Sequence, residues 1–233
     1  MIRAAAASLV LTTALLVGAA PGQAAGECKG LQRCIPVPGP WVVIPAPGGL
    51  ATSTMWRILC PQGIAGGTDA RVSEKEVAVD FPGRLGSPVN PGITTSNAVV
   101  FRGTYVGTVP RATSFQPFVG CIPTSGGGSR TRTSFERVSA VKPGEPISVR
   151  VKTLTAEPGT LARTTLRCRP NERLLRSSHA VGLYTEVVPT RAQLAAVHVV
   201  RVRRGDEILV SVTRRGLEGG VGVEVQVQAV CAA

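Results

Sequence analysis

The arrangement of the six cysteines constrains the fold of this 233-residue chain more than any other feature. The cysteines are Cys28, Cys34, Cys60, Cys121, Cys168 and Cys231. All six follow an N-terminal segment with the features of a secretion signal, and an even number of cysteines in an exported chain predicts disulfides. Counting alone allows about 15 complete pairings, so a second pattern is needed to choose among them.

An internal repeat supplies that second pattern. The residues before Cys60 and those before Cys168 both run through a turn, a Leu-Ala pair and a Thr-rich segment, and each cysteine has a proline close after it. Small and polar residues follow, and from matching positions among them the distance to Cys121 equals the distance to Cys231. The period of about 110 residues is far longer than a solenoid repeat, so it indicates domain duplication.

The repeat predicts one long-range disulfide in each half of the chain. The predicted pairs are Cys60–Cys121 and Cys168–Cys231, and the two remaining cysteines, Cys28 and Cys34, are expected to pair with each other. Each long disulfide closes a loop of about 60 residues, which in the chain-entropy model contributes roughly 4 kcal/mol to stability. A redox or metal role for the remaining pair is disfavoured, because the chain has no C-x-x-C motif and only two histidines.

Residues 1–24 have the three parts of a signal peptide. Arg3 supplies the positive charge, residues 4–20 form an apolar stretch, and a small-x-small site at 22–24 predicts cleavage before Ala25. An uncleaved membrane anchor is the weaker alternative, because the apolar stretch is short for a membrane span. We therefore expect an extracellular or cell-wall protein with no transmembrane segment in its mature chain.

Composition divides the mature chain into four parts. Residues 25–49 form a Pro-rich N-terminal segment, residues 50–124 the first domain, residues 125–132 a Gly/Ser linker and residues 133–233 the second domain. Hydrophobic residues make up 43% of the chain, enough for packed cores, and 27 Gly and 18 Pro break the apolar runs into short segments. These features predict an all-β protein with two tandem antiparallel β-sandwich domains of immunoglobulin-like geometry.

Three local patterns in the second domain predict specific elements. Residues 197–213 alternate apolar and polar side chains on both sides of Gly205, which predicts a β-hairpin. Residues 221–228 alternate valine with Gly, Glu or Gln, which predicts a strand with a buried Val face and a solvent-exposed Glu/Gln face. Residues 189–196 favour a short helix.

Three further predictions concern individual positions. The Gly66-Gly67 pair predicts a turn between two short strands. Trp41 and Val42, within the Pro-rich segment, are expected to dock at an edge of the first domain. His179 follows two serines, and a polar turn is favoured over a general base at this position.

Motifs for catalysis and metal binding are absent from the sequence. It contains neither G-x-S-x-G nor H-E-x-x-H, and it lacks the EF-hand and phosphate-loop patterns. No catalytic residue, metal or cofactor is therefore predicted. The alternative function is that of an extracellular hydrolase using first-domain carboxylates, and its candidate residues are Asp69, Glu74, Glu76 and Asp80.

The charge of the chain is strongly positive and uneven. Lys and Arg number 26 against 14 Asp and Glu, and most of the excess follows residue 124. This balance favours a non-enzymatic binding or structural protein whose partner is an acidic cell-wall polymer or an extracellular protein. Nucleic acid is disfavoured, because Tyr184 is the only aromatic residue after Phe135 and bases stack on aromatic side chains. The candidate polyanion-binding residues are Arg167, Arg169, Arg173, Arg176, Arg201, Arg203, Arg214 and Arg215.

Two further stretches carry a resemblance. Residues 60–70 read CPQGIAGGTDA and residues 86–92 read GSPVNPG. Together with the signal peptide, these stretches make the sequence resemble, in its general style, secreted tandem β-domain proteins of GC-rich bacteria. The resemblance implies no activity. Codon usage in a GC-rich genome also favours arginine, so the Arg excess has an explanation that needs no ligand.

Overall fold

The computed structural model describes residues 34–47, 53–81, 88–90, 93–94, 97–123, 147–217 and 220–233. The predicted signal peptide, Cys28 and the linker at 125–132 lie outside these residues. Within them the regular structure is almost entirely antiparallel β-sheet, as predicted, with a single five-residue helix. We call the described residues up to 123 the first half and those from 147 onward the second half.

The described residues form fifteen strands. The strands of the first half are β1 (Ile35–Pro38), β2 (Trp41–Ile44), β3 (Ser53–Leu59), β4 (Ile64–Val72), β5 (Val77–Asp80), β6 (Pro88–Asn90), β7 (Ile93–Thr94), β8 (Ala98–Tyr105) and β9 (Thr113–Ile122). The strands of the second half are β10 (Ile147–Thr155), β11 (Ala162–Arg167), β12 (Arg173–Tyr184), β13 (Val197–Arg204), β14 (Glu207–Arg214) and β15 (Gly222–Ala232). The helix α1 (Arg191–Ala195) lies between β12 and β13.

The largest sheet runs through both halves of the chain. Its order is β4-β9-β2-β12-β15-β10, and β1 precedes β2 along the same strand β9. The halves join where Val42 and Trp41 of β2 pair with Gly182 and Leu183 of β12. β2 therefore lies inside the sheet, and the expectation that it docks at an edge is wrong. Its run of four apolar residues is typical of a strand covered on both faces.

A three-stranded sheet packs on each face of this large sheet. The order is β3-β8-β5 in the first half and β11-β14-β13 in the second. Alternate residues of β15 show the two faces: Val225 and Val227 lie in the second-half core, whereas Gln226 and Gln228 contact β3 of the first half. The same order of strands thus occurs twice, with the small sheets on opposite sides of a shared layer.

Each small sheet encloses its own apolar core. Trp56, Phe101 and Phe115 are the largest fully buried side chains of the first-half core and are at most 2% exposed. Valine, leucine and isoleucine fill the second-half core, and its low aromatic content follows from a composition with only 4% aromatic residues. Ala180 of β12 belongs to the first-half core, and Val43 of β2 packs against the second. The two cores are therefore tied together through β2 and β12.

Both predicted long-range disulfides are confirmed. Cys60 follows β3 and is bonded to Cys121 in β9, while Cys168 follows β11 and is bonded to Cys231 in β15. Each bond links a small sheet to the large sheet at an equivalent point of its half. Cys34 is disulfide-bonded as well, and its expected partner lies outside the described residues.

A β-bulge replaces the turn predicted at Gly66-Gly67. β4 continues through this pair, and its register against β9 shifts by one residue between Ala65 and Gly67. Glycine accepts the backbone of a bulge as readily as that of a turn, so the sequence signal is ambiguous. β12 has the same shift between Leu174 and Arg176. In both strands the shift directly follows the residue that pairs with a disulfide cysteine.

The predicted hairpin and the predicted short helix are confirmed. β13 and β14 pair along their full length and are joined by Gly205 and Asp206. Gly205 has a φ of 59°, a left-handed conformation that glycine adopts at little cost. α1 begins after Thr190, whose side chain forms a capping box with Gln193.

The predicted solvent-exposed face of residues 221–228 is wrong for its two glutamines. Gln226 and Gln228 are 6% and 3% exposed because β3 of the first half covers them. The Gln226 side chain accepts a hydrogen bond from Arg57 N at 2.9 Å and donates one to Arg57 O at 2.7 Å. Gln228 Nε2 donates to Met55 O at 3.4 Å. This polar face is therefore the contact surface between the halves.

Candidate functional site

The candidate arginines divide by their position along the β13–β14 hairpin. Arg214 and Arg215 lie at its open end, away from the candidates near the turn. Arg214 is only 9% exposed, and its Nη1 donates to Ala156 O at 3.3 Å and to Val221 O at 2.9 Å. These two carbonyl groups hold the Arg214 guanidinium inside the fold. The structure does not bring Arg214 and Arg215 together with the other six candidates.

Four candidate arginines gather beside the first residues of β12. Arg173 and Arg176 belong to this stretch of β12, and Arg201 and Arg203 reach it from β13. All four are exposed. We call these four residues the β12 arginine cluster.

Two members of the cluster donate hydrogen bonds to the backbone of β12. Arg201 Nη1 donates to Ser177 O and Arg203 Nη2 donates to Leu174 O, both at 2.7 Å. Charged side chains placed over a strand edge also protect that edge from unwanted pairing. A guanidinium has five N–H donors, so each arginine keeps donors and a full positive charge for a ligand.

The last two candidates, Arg167 and Arg169, lie in a region of mixed charge. Arg167 forms an ion pair with Glu207, whose hydrogen bond and charge raise the pKa of Arg167. The backbone N–H of Arg169 donates to Glu172 at 2.8 Å and, with help from other donors, lowers the pKa of that carboxyl. The adjoining cleft of about 410 Å³ is lined by as many acids as arginines. The charges that line this cleft therefore balance, which makes it less favourable for an anion than a surface lined by arginines alone.

The four candidate carboxylates of the hydrolase alternative do not face a common cleft. Glu74 and Glu76 share the guanidinium of Arg111, whereas Asp80 is paired with an arginine of β8. Asp69 lies on β4. Glycosidases hold two carboxyl groups on either side of the bond they cut. Here the two acids that converge are bridged by an arginine, and none of the four lines the clefts described in this section.

A groove lies between the two small sheets along β12. Its volume is about 530 Å³, within the range of roughly 300–1,000 Å³ that is usual for ligand sites. Residues 177–181 of β12 form its floor, residues 53–55 of β3 form one wall, and Val197, Val199 and Arg201 of β13 belong to the other. No carboxylate is among the described residues that line it. We call this feature the β12 groove.

His179 lies in the floor of the β12 groove. The expectation of a polar turn is wrong, because His179 is part of a continuous strand. Its Nδ1 atom is buried and has no hydrogen-bond partner among the described residues. Burial and, secondarily, the charge of Arg201 lower the pKa of His179 from 6.5 to about 4. Among the described lining residues there is no carboxylate that could orient the ring as the Asp of a Ser-His-Asp triad does.

We expect the free energy of unfolding to decrease as the pH falls from about 6.5 to about 4. In this window the unfolded chain binds a proton at His179 that the folded chain does not bind, so acid favours unfolding. The decrease should be about 2 kcal/mol, which is less than the full pKa shift implies because solvent screens the partly exposed ring. Urea unfolding at several pH values measures it. His179→Gln should remove this part of the pH dependence, and His198→Gln, at the exposed histidine, should retain it; equal curves for all three proteins would contradict the assignment.

The sequence did not reveal the groove residues of β3 and β13. Residues 53–55 and 197–199 are far apart in the chain and belong to opposite small sheets. They meet because β2 joins β12 and thereby brings β3 over the second half. The one local signal is Pro45, which marks the point where β2 must end.

Two remaining questions concern membranes and metals. Among the described residues, no helix is long and apolar enough to span a membrane. Cys168, Glu172 and Cys231 place potential ligand atoms within 4.8 Å of one another, but the two sulfur atoms are already joined as a disulfide.

Comparison with family models, with curated proteins and with solved structures finds no match for this chain.

Proposed function

We propose that this chain is an exported, non-enzymatic binding protein that holds an acidic polymer of the cell wall on its β12 arginine cluster. In this proposal the two halves are immunoglobulin-like β-sandwiches that share their central sheet. Export is supported by three observations: the signal-like N-terminus, the long-range disulfides and the bonded state of Cys34. Disulfides form and persist in oxidising compartments.

Strand order supports the immunoglobulin-like assignment. In the second half, β11-β14-β13 faces β12 and β15, and a disulfide joins the end of β11 to β15. This is the relation between the B-E-D and C-F strands and their inter-sheet disulfide in immunoglobulin domains. β10 lies beside β15, in the place that the last strand occupies in those domains. The first half repeats the arrangement with β3, β8 and β9.

The observation that carries the proposal is the concentration of exposed positive charge at one end of β12. The described residues of the second half include 13 Lys and Arg against 6 Asp and Glu. The four arginines of the cluster are exposed and lie on, or donate to, the first residues of β12. Of the nearby acids, Glu172 and Glu207 are paired with Arg150 and Arg167, and Asp206 accepts a hydrogen bond from Leu174 N. A polymer with repeated negative charges gains from contacting several such cations at once.

Retention on an immobilised anionic polymer tests this function. We expect the protein to bind purified anionic wall polymer at low salt and to elute as the ionic strength rises. Arg173→Glu with Arg176→Glu should weaken binding about tenfold, since each exposed charge contact contributes up to about 1 kcal/mol. Arg163→Glu with Arg215→Glu changes the net charge equally, at exposed sites away from the cluster, and should have a much smaller effect. No retention at low salt, or equal losses in the two variants, would contradict the proposal.

A further inference from the structure

β12 has a free backbone edge along the floor of the β12 groove. β2 pairs with that edge at Gly182 and Leu183, and no other strand of the described residues pairs with it. Val43 and Ile44 continue β2 opposite Val181 and Ala180, and Pro45, which has no N–H to donate, ends the strand before it can pair with His179. Among the described residues, the edge from His179 back to Ser177 is therefore open to another strand.

The backbone groups of Ser177 and His179 point toward this free edge. The N–H of Ala156, which follows β10, donates to Val223 O, so the odd-numbered residues of β15 bond toward β10 and the even-numbered ones bond toward β12. The even-numbered residues of β12 lie opposite these and therefore bond to β15. Successive residues of an antiparallel strand direct their N–H and C=O groups to opposite sides. The carbonyl of Ser177, which accepts from an arginine of β13, confirms this direction for the odd-numbered residues of β12.

The walls of the groove offer suitable contacts to the side chains of an extended chain. Leu194, Val197 and Val199 form an apolar surface on one side, and Met55 lies on the other. Arg201 lines the groove as its cationic residue. Side chains of an extended peptide alternate in direction, so a groove with a wall on each side of a strand edge can contact both sets.

We propose that the β12 groove binds an extended acidic peptide segment of another exported protein as an added β-strand. The peptide backbone pairs with Ser177 and His179, its apolar side chains pack on Val197 and Val199, and a carboxylate contacts Arg201. Charge complementarity selects the acidic segment, because the described lining residues include an arginine and no carboxylate. This partner goes beyond the proposed function, since a wall polymer that lacks a peptide backbone cannot extend a sheet.

The Arg201 side chain has one contact in the free protein and a different one in the proposed complex. Its guanidinium gives one N–H to Ser177 O at 2.7 Å, and the remaining donors are available to a carboxylate. In the free protein this contact covers part of the open edge. In the complex the same side chain forms an ion pair with the peptide, so the residue that protects the edge also selects its ligand.

Fluorescence anisotropy with a labelled synthetic peptide tests the proposal. The probe is Asp-Val-Thr-Val-Asp, compared with the same peptide N-methylated at alternate amides and with Lys-Val-Thr-Val-Lys. At about 0.15 M salt, where long-range charge effects are screened, we expect the N-methylated and basic peptides to bind at least about tenfold more weakly. Equal binding of the N-methylated peptide in both methylation registers would overturn strand addition.

Two matched variants separate the groove from the arginine cluster. Ala46→Trp places a large side chain at the mouth of the groove from an exposed position, and Ala78→Trp makes the same change at an exposed position of β5. We expect the first to abolish peptide binding and the second to retain it, with retention on wall polymer unchanged in both. The Arg173→Glu/Arg176→Glu protein should show the reverse. Peptide binding that survives Ala46→Trp would overturn the inference while leaving the proposed function intact.

Hydrogen exchange supplies a direct readout of the strand edge. The amides of Ser177 and His179 should exchange rapidly in the free protein and become protected when the peptide is added. Protection of both amides in the free protein would mean that the edge is already occupied, and it would overturn the proposal.

Discussion

Replacement of Cys168 and Cys231 by alanine is expected to lower the free energy of unfolding by about 4 kcal/mol. The disulfide closes a loop with a sequence separation of 63 residues and joins β15 of the large sheet to the end of β11 in the small sheet. Without it, the unfolded chain gains the conformational entropy that the cross-link removes. Both sulfurs are also buried in the second-half core, so their loss removes packing as well. Urea unfolding followed by circular dichroism measures the change.

The matched variant is the replacement of Cys60 and Cys121, which are separated by 61 residues. We expect a similar loss of stability, and we expect each variant to unfold in one transition, because β2 and β12 join the halves into one sheet. Trp56 belongs to the first-half core, whereas Trp41 pairs with Leu183 of the second half. In a Trp41→Phe background, tryptophan fluorescence therefore reports on the first half and circular dichroism reports on both. Coincidence of the two signals indicates one cooperative unit. If the second-half variant shifts the circular dichroism curve and leaves the fluorescence curve unchanged, the halves unfold independently and the shared sheet is not a cooperative link.

The features that the sequence predicted correctly are those fixed by neighbouring residues or by the repeat. The β13–β14 hairpin needs only alternating side chains and a glycine at its turn, and α1 needs only Thr190 and Gln193. The two long disulfides follow from matching one half of the chain to the other. None of these depends on how the halves meet.

The predictions that failed all concern positions whose surroundings come from distant parts of the chain. Gln226 is polar and alternates with valines, which is the usual pattern of a solvent-exposed face, yet β3 covers it. His179 lies in a polar run, yet the groove partly buries it. Gly66-Gly67 could form a turn or a bulge, and pairing with β9 decides for the bulge. Hydrophobic periodicity reports burial by the nearest sheet and carries no information about a second covering layer.

The position of one candidate arginine could be predicted from the sequence, whereas the grouping of the β12 arginine cluster could not. Arg214 continues the series Ile208, Val210 and Val212, all of which face the core. Period-two alternation therefore already indicated that Arg214 points inward. The cluster beside β12 had no such signal, because it depends on Arg201 crossing from one sheet to a carbonyl of the other.

Replacement of Gln226 by leucine is expected to destabilise the protein by about 3 kcal/mol, because two backbone groups of Arg57 then lose their partners in a place that water hardly reaches. Leucine has a similar volume, so the change isolates the two hydrogen bonds from packing. Gln228→Leu is the matched control: it removes a single, longer bond to Met55 O and should cost about 1 kcal/mol.

The distribution of the loss between the halves identifies what holds them together. If the two hydrogen bonds of Gln226 hold the halves together, Gln226→Leu should separate the fluorescence and circular dichroism transitions that coincide in the unaltered protein. The reason is that β3 then loses both hydrogen bonds from Arg57 to β15. If the variant is destabilised but its two transitions still coincide, the pairing of β2 with β12 and the packing of Ala180 in the first-half core suffice to hold the halves together. In that case the two glutamines would serve only to satisfy backbone groups that the shared sheet had already buried.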